Sequence, residues 1–214
     1  MFRSLPLPMA ATVLLALMAT SAGAGGIPIA ANCTVPSHIV LVGSSGGVPD
    51  AAAGQFTVVV RDIANNPRSG YSVVIDLSAC ADLEICSDQM DPNAQVNCTA
   101  KTVRKFTNVL GEATFTVMGR SNGGGNASTL ANGGRIFSNG ALIGTPSVSS
   151  FDLDGSGGVG AGDLSVWFGD FGTGQPFERS DFDGSGTIGA ADLSAWLGVF
   201  GAGTSVQSCR ASCP

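Results

Sequence analysis

The chain has 214 residues, is 44% hydrophobic and only 12% charged, and carries 31 glycines, a balance that suits a compact β-rich protein and excludes a disordered one. Its formal charge of −6 is concentrated between Asp152 and Asp192, where eight acids face Arg179 alone. The remainder is nearly neutral and has no basic stripe, which argues against a nucleic-acid partner.

Residues 1–24 read as an export signal. Arg3 supplies a positive start, Met9 to Met18 an apolar core, and Ala22-Gly23-Ala24 the small residues of a cleavage site, with cleavage expected after Ala24. No later stretch approaches the ~20 apolar residues that a membrane helix needs. The mature chain is therefore expected to be secreted or held at the cell surface, with no membrane span. All six cysteines, Cys33, Cys80, Cys86, Cys98, Cys209 and Cys213, follow the cleavage point. In an oxidising compartment an even number reads as disulfides, with the pairing left open. The cluster Cys80, Cys86 and Cys98 is expected to pin an acidic inserted loop, 80–98, with one member pairing outside the cluster and Cys33 a candidate for it. Without a C-x-x-C motif, and with a single histidine, a cysteine zinc site is disfavoured.

From Pro36 to about Ser149, within an expected domain of residues 25–149, the dominant period is two. Phe56, Val58 and Val60 alternate with Thr57, Val59 and Arg61. Tyr71, Val73, Ile75 and Leu77 form a second such set, and Ala113, Phe115 and Val117 a third. Such alternation marks half-buried strands. Turn signals separate them, the strongest being Asn139-Gly140 between Arg135-Ile136-Phe137 and Ala141-Leu142-Ile143. About seven short strands over this length predict a β-sandwich of immunoglobulin type. The run from Phe56 through Val60-Arg61-Asp62, Asn66-Pro67 and Gly70 to Leu77, with Gly111 to Val117 later, is similar to bacterial Ig-like repeats of the invasin and intimin kind. That resemblance implies a stalk, spacer or adhesive module.

From 150 to 203 the sequence repeats itself at a displacement of 29 residues, as Asp152-Leu-Asp-Gly-Ser-Gly-Gly-Val-Gly-Ala-Gly-Asp163 and Asp181-Phe-Asp-Gly-Ser-Gly-Thr-Ile-Gly-Ala-Ala-Asp192. A hard dication needs six to eight oxygens, and a twelve-residue loop supplies them from positions 1, 3, 5, 7, 9 and 12 around a glycine at position 6. In the first loop these are Asp152, Asp154, Ser156, Gly158 through its carbonyl, Gly160 through water, and Asp163. In the second they are Asp181, Asp183, Ser185, Thr187, Gly189 and Asp192. Gly157 and Gly186 stand at the turns, and two calcium ions are expected. Beyond each loop, Leu164, Trp167, Phe168 and Phe171 match Leu193, Trp196, Leu197 and Phe200, an i, i+3, i+4, i+7 helix face. No helix is readable before either loop. Val159 and Ile188, at position 8 of each, are expected to pair as a small bridge.

This duplicated loop-helix unit resembles a type I dockerin, a small calcium-dependent module of secreted bacterial proteins that binds cohesin in cellulosomes. The calcium positions match the family pattern. The partner-reading positions depart from it, with Ala161-Gly162 and Ala190-Ala191 where Ser/Thr pairs are common, and Phe168-Gly169 and Leu197-Gly198 where a basic pair is common. The resemblance implies calcium binding and attachment to an extracellular or cell-surface protein, cohesin-like or Ig-like. Residues 204–214 read as a cysteine-containing tail.

Other motifs lack their context. Gly155 to Gly160 and Gly184 to Gly189 satisfy G-x-G-x-x-G, but no βαβ unit surrounds them and the flanking acids would repel a pyrophosphate, so no nucleotide is expected. Gly43 to Gly47 satisfies G-x-S-x-G, yet the only histidine, His38, lies upstream on a predicted strand, so a glycine-serine turn explains it better. Asp62, Asp76 and Glu112 read as solvent-facing acids, and Trp167 and Trp196 as core. With no catalytic set visible, the expectation is a non-catalytic protein: a mostly β Ig-like sandwich joined to a small α dockerin-like module that mediates attachment or extracellular assembly. An accessory component of a polysaccharide-degrading system, or an adhesin, is the alternative.

Overall fold

The computed structural model describes residues 26–122, 133–174, 178–209, 211 and 213. The expected export signal, residues 1–24, lies outside them. The structure is mostly β, 34% strand and 21% helix, in several sheets compatible with a β-sandwich. In chain order the elements are β1 (His38–Leu41), β2 (Ser44–Ser45), β3 (Val48–Pro49), α1 (Ala51–Gly54), β4 (Gln55–Val59), β5 (Ser72–Asp76), β6 (Leu83–Ile85), β7 (Gln95–Asn97), β8 (Thr102–Phe106), β9 (Glu112–Thr116), β10 (Gly119–Ser121), β11 (Arg135–Ser138), β12 (Ala141–Gly144), β13 (Ser147–Ser150), α2 (Ala161–Thr173) and α3 (Ala190–Ala202).

The largest sheet is antiparallel, in the order β12-β11-β5-β8-β7. The antiparallel pair β4-β9 and the parallel pair β1-β13 supply the strands that share its core. Period-two alternation puts every second residue on one face. Ile39 and Leu41 of β1, Val58 of β4, Phe115 of β9 and Val148 of β13 thus meet Val73, Ile75, Val103 and Ile136 of the large sheet. The β11-β12 hairpin turns at Asn139 (φ 45°) and Gly140 (φ 84°), the left-handed pair that a two-residue loop requires to match strand twist.

A second cluster lies beside the first. It joins Val42 from the end of β1 to Phe151, Leu153, Phe182, Val199 and the two tryptophans of α2 and α3. Trp167 is 2% and Trp196 1% exposed, as their helical spacing predicts. The rest of each apolar face is only partly covered: Phe168, Phe171, Leu197 and Phe200 are half-exposed.

After α3 the chain turns at Gly203 (φ 64°) and doubles back as an extended tail. Gln207 pairs with Ser44 of β2 through two backbone bonds, and the Cys213 amide donates to the Ile85 carbonyl. Disulfides Cys86–Cys209 and Cys98–Cys213 staple this tail to the 80–98 segment. The expected pairing inside the cysteine cluster is therefore wrong. Cys86 and Cys98 each reach the C-terminus, because the tail returns across the sheets, and Cys33 and Cys80 are free thiols. Cys80 sits in the core, where burial first and Asp82 and Asp76 next push its thiol up to about 12.

The 80–98 segment is also more than a solvated loop. Its β6 pairs with β10, and Leu83 and Ile85 enter the main core. Asp62, expected at the surface, is buried. Its Oδ1 accepts the Ala64 and Asn66 amides to cap a turn, and Oδ2 lies 3.4 Å from Arg68.

Candidate metal centre

Each repeat forms a loop that runs directly into a helix, and the closing acid is the third residue of that helix. Asp163 Oδ2 accepts the Gly160 amide at 2.6 Å, and Asp192 Oδ2 accepts the Gly189 amide at 2.8 Å. Both carboxylates thus satisfy a backbone donor left over at a helix start, where negative charge is also favoured by the helix dipole. Their other oxygens reach back across the loops. Asp163 Oδ1 takes the amides of Leu153 (2.6 Å) and Asp154 (3.0 Å), while Asp192 Oδ1 takes those of Phe182 (2.7 Å) and Asp183 (3.1 Å). Position 12 therefore ties the mouth of each loop to its helix, and nothing in this depends on a second helix before the loop.

The tie brings the acids together. Asp152, Asp154 and Asp163 each present an oxygen within 4.8 Å of the others, and so do Asp181, Asp183 and Asp192. The turn between them requires positive φ at position 6, 107° at Gly157 and 82° at Gly186, a conformation that a side chain would strain. These glycine amides donate to the first acid of their loop, Gly157 to Asp152 Oδ2 at 3.1 Å and Gly186 to Asp181 Oδ2 at 2.8 Å.

The other expected ligands are placed less uniformly. Ser156 is exposed, and its amide donates to Asp154 Oδ1. Ser185 Oγ donates to the Thr187 carbonyl at 3.2 Å, which brings positions 5 and 7 of the second loop together. Gly158 lies beneath the tail, so closely that a Cβ there would fall on the Val206 carbonyl. Gly160 and Gly189 serve as helix N-caps. The expected bridge between Val159 and Ile188 does not form. The Val159 amide donates instead to the Ser205 carbonyl at 2.9 Å, because the tail occupies that side of the loop.

Burial and mutual repulsion both act on three carboxylates held in so small a volume. Burial, followed by the charges of Asp152 and Asp154, pushes the Asp163 carboxyl up to about 6. Burial likewise raises Asp152 and Asp181. Asp183 goes the other way, held below the usual carboxylate range chiefly by the Ser185 hydroxyl. For Asp154, burial is outweighed by hydrogen bonds from the Ser156 hydroxyl and amide, which lower it.

Among the six clustered acids one oxygen stands out. Asp152 is 2% exposed, its Oδ2 is bonded twice, and its Oδ1 is buried with no hydrogen-bond partner. An unpaired buried carboxylate oxygen costs free energy unless something positive meets it. A cluster of oxygen donors alone, with no sulfur or imidazole among the clustered ligands, suits a hard cation such as calcium.

Ser208 and His38 are among the groups around the loops that were not foreseen. Ser208, itself 1% exposed, donates from Oγ to Asp152 Oδ2 at 2.6 Å. His38, on β1, packs against the second loop so tightly that a Cβ on Gly184 would meet its side chain. Its ring nitrogens lie 2.7 Å from Ser147 Oγ and 3.0 Å from Ser149 Oγ, and burial lowers its pKa against the opposing pull of Asp183 and Asp192. Spacing within the repeats carries no trace of either contact; the nearest sequence signal is Cys209, which anchors the chain beside Ser208.

A cavity of about 340 Å³ lies between α1 and α3, lined by Phe151, Phe182, Val199 and small residues. Among the described residues its one acid is Asp50, which is engaged by the Ala53 amide and the Thr204 and Ser205 hydroxyls. Among the described residues no helix is long and apolar enough to cross a membrane. Comparison with protein-family models, with curated proteins and with solved structures found no match for this chain.

Proposed function

We propose that this is a secreted, non-catalytic protein whose two acidic loops bind two calcium ions, in a dockerin-like module that attaches an Ig-like β-sandwich to another extracellular or cell-surface protein. The observation that carries the reading is the buried, unpartnered Asp152 Oδ1 within a cluster of three carboxylates, matched by a second cluster at the same positions of the repeat. Calcium would be held by Asp152, Asp154 and Asp163 in one loop and Asp181, Asp183 and Asp192 in the other, with Ser156, Ser185 and backbone carbonyls completing the oxygens. Its chemistry there is charge neutralisation that ties each loop to the first turn of its helix. The half-exposed Phe168, Phe171, Leu197 and Phe200 supply apolar surface for a protein partner of cohesin-like or Ig-like kind.

Isothermal calorimetry with calcium, with circular dichroism in parallel, tests this. Two sites with a gain of helical signal are expected, and Asp152→Ala together with Asp181→Ala abolishes both. Calcium binding that survives the double substitution unchanged would show the ligands to be elsewhere. No binding by the parent protein would remove the calcium reading altogether.

A further inference from the structure

The two loops share a sequence but not an environment, and on the first loop much of the difference comes from residues outside the repeat. Four contacts lay the tail along the first loop: Val159 amide to Ser205 carbonyl at 2.9 Å, Val206 against Gly158, Ser208 amide to Gly157 carbonyl at 2.9 Å, and Ser208 Oγ to Asp152 Oδ2 at 2.6 Å. The tail itself is fixed at the next residue, Cys209, by its disulfide to Cys86, and Cys86 Sγ lies 3.2 Å from the Ser208 carbonyl. On the second loop, the amides that Asp181 accepts among the described residues come from its own loop, Ser185 on Oδ1 at 3.0 Å and Gly186 on Oδ2 at 2.8 Å.

In the first loop, Gly157 and Ser208 both donate to Asp152 Oδ2, while the Ser156 amide, whose counterpart Ser185 donates to Asp181 Oδ1, turns to Asp154, so Asp152 Oδ1 is buried and unpaired. A cation arriving there gains a ligand without breaking a hydrogen bond. In the second loop, Asp181 Oδ1 must give up or share the Ser185 amide before it can serve as a ligand. Groups that orient a metal ligand from behind commonly govern affinity by tenfold or more.

We propose that Ser208, held in place by the Cys86–Cys209 disulfide, is a positioning residue for the first calcium site, and that this tail makes the first site the tighter of the two. The inference rests on the calcium reading above and adds to it an unequal pair of sites governed by a segment outside the repeat. Ser208→Ala removes the hydroxyl without filling space, whereas Ser208→Thr retains it.

The experiment measures calcium affinity calorimetrically in two backgrounds of the full chain, Asp181→Ala, which leaves the first site, and Asp152→Ala, which leaves the second. In the first background Ser208→Ala is expected to weaken calcium binding about tenfold and Ser208→Thr to restore it. In the second background neither changes affinity. Cys86→Ser with Cys209→Ser should reproduce the Ser208→Ala result at the first site, and if that variant fails to fold, the Ser208 substitutions decide alone. Equal affinity with and without the hydroxyl at the first site overturns the inference while leaving calcium binding intact. Equal weakening at both sites overturns it too, by showing that Ser208 merely supports the fold. Absence of calcium binding in the parent protein strikes the underlying reading instead, a separate outcome.

Discussion

The loops at 152–163 and 181–192 carry nearly the same twelve residues, and their internal hydrogen bonds agree from the position-6 amide on the first acid to the three amides on the last, the Ser185 amide on Asp181 Oδ1 being an exception. Their outer faces differ completely. The first lies under a disulfide-stapled tail, and the second rests against His38 of β1, whose ring is held by two serines of β13. A duplicated sequence thus reproduces its local geometry twice, because that geometry is built from backbone amides and acids within a few residues. It cannot reproduce its surroundings, which come from segments over 30 residues away on the first loop and over 100 away on the second.

The largest test of that equivalence lies in the helices. Trp167→Ala and Trp196→Ala each open a cavity in the same cluster and should each cost about 3–5 kcal/mol in thermal or denaturant unfolding. A difference between them well beyond that range would mean that the repeats differ in packing as well as in surroundings. Next comes the staple over the first loop. Replacing Cys86 and Cys209 with serine should lower stability by about 2–5 kcal/mol. Hydrogen exchange should then quicken at Gly157 and Val159 before Gly186 and Ile188, and equal exchange at both loops would dissociate the tail from the first loop.

The clustered acids also make stability depend on pH. The folded Asp163 carboxyl titrates at about 6, above the ordinary value of 3.8, because burial disfavours its charge. The folded metal-free state therefore holds this proton more tightly than the unfolded state does, so its contribution to stability is present at low pH and is lost as pH rises from about 4 to about 6. Calcium reverses the trend, since it binds the carboxylate and competes with the proton. Melting curves in chelator should thus fall in temperature across that window while those in calcium rise, and parallel curves would count against Asp163 as a ligand.

His38→Ala is expected to act more gently. It removes two serine contacts and the wall behind Gly184, so calcium affinity should drop about threefold at the second site and stay constant at the first, a difference of about 0.7 kcal/mol on the scale of 1.4 kcal/mol per tenfold. Loss at the first site would show that the two loops communicate through the shared apolar cluster. The smallest effect belongs to the half-exposed helix positions. Leu197→Ser and Phe168→Ser should each change stability by less than about 1 kcal/mol. A larger loss at either would mean that its exposed half hides a packing role.

What could be read from the sequence was whatever lies within one element or one turn. Strand faces followed from alternation at Val58, Val73, Ile75 and Phe115, the hairpin from Asn139-Gly140, and the acid clusters from spacing inside twelve residues, since all of these depend on backbone periodicity and local hydrogen bonds. The helix faces were legible in direction but not in extent, because periodicity marks a stripe and only a neighbouring surface determines how much of it is covered. Tertiary structure alone decided the rest. The route of the tail paired Cys86 and Cys98 with Cys209 and Cys213, drew Leu83 and Ile85 of the insert into the core, diverted the Val159 amide to Ser205, and set Ser208 behind Asp152. The physical reason is one of range: a cysteine, an amide or a hydroxyl carries no sequence mark of its distant partner, and only the packing of the sheets brings residue 208 against residue 152.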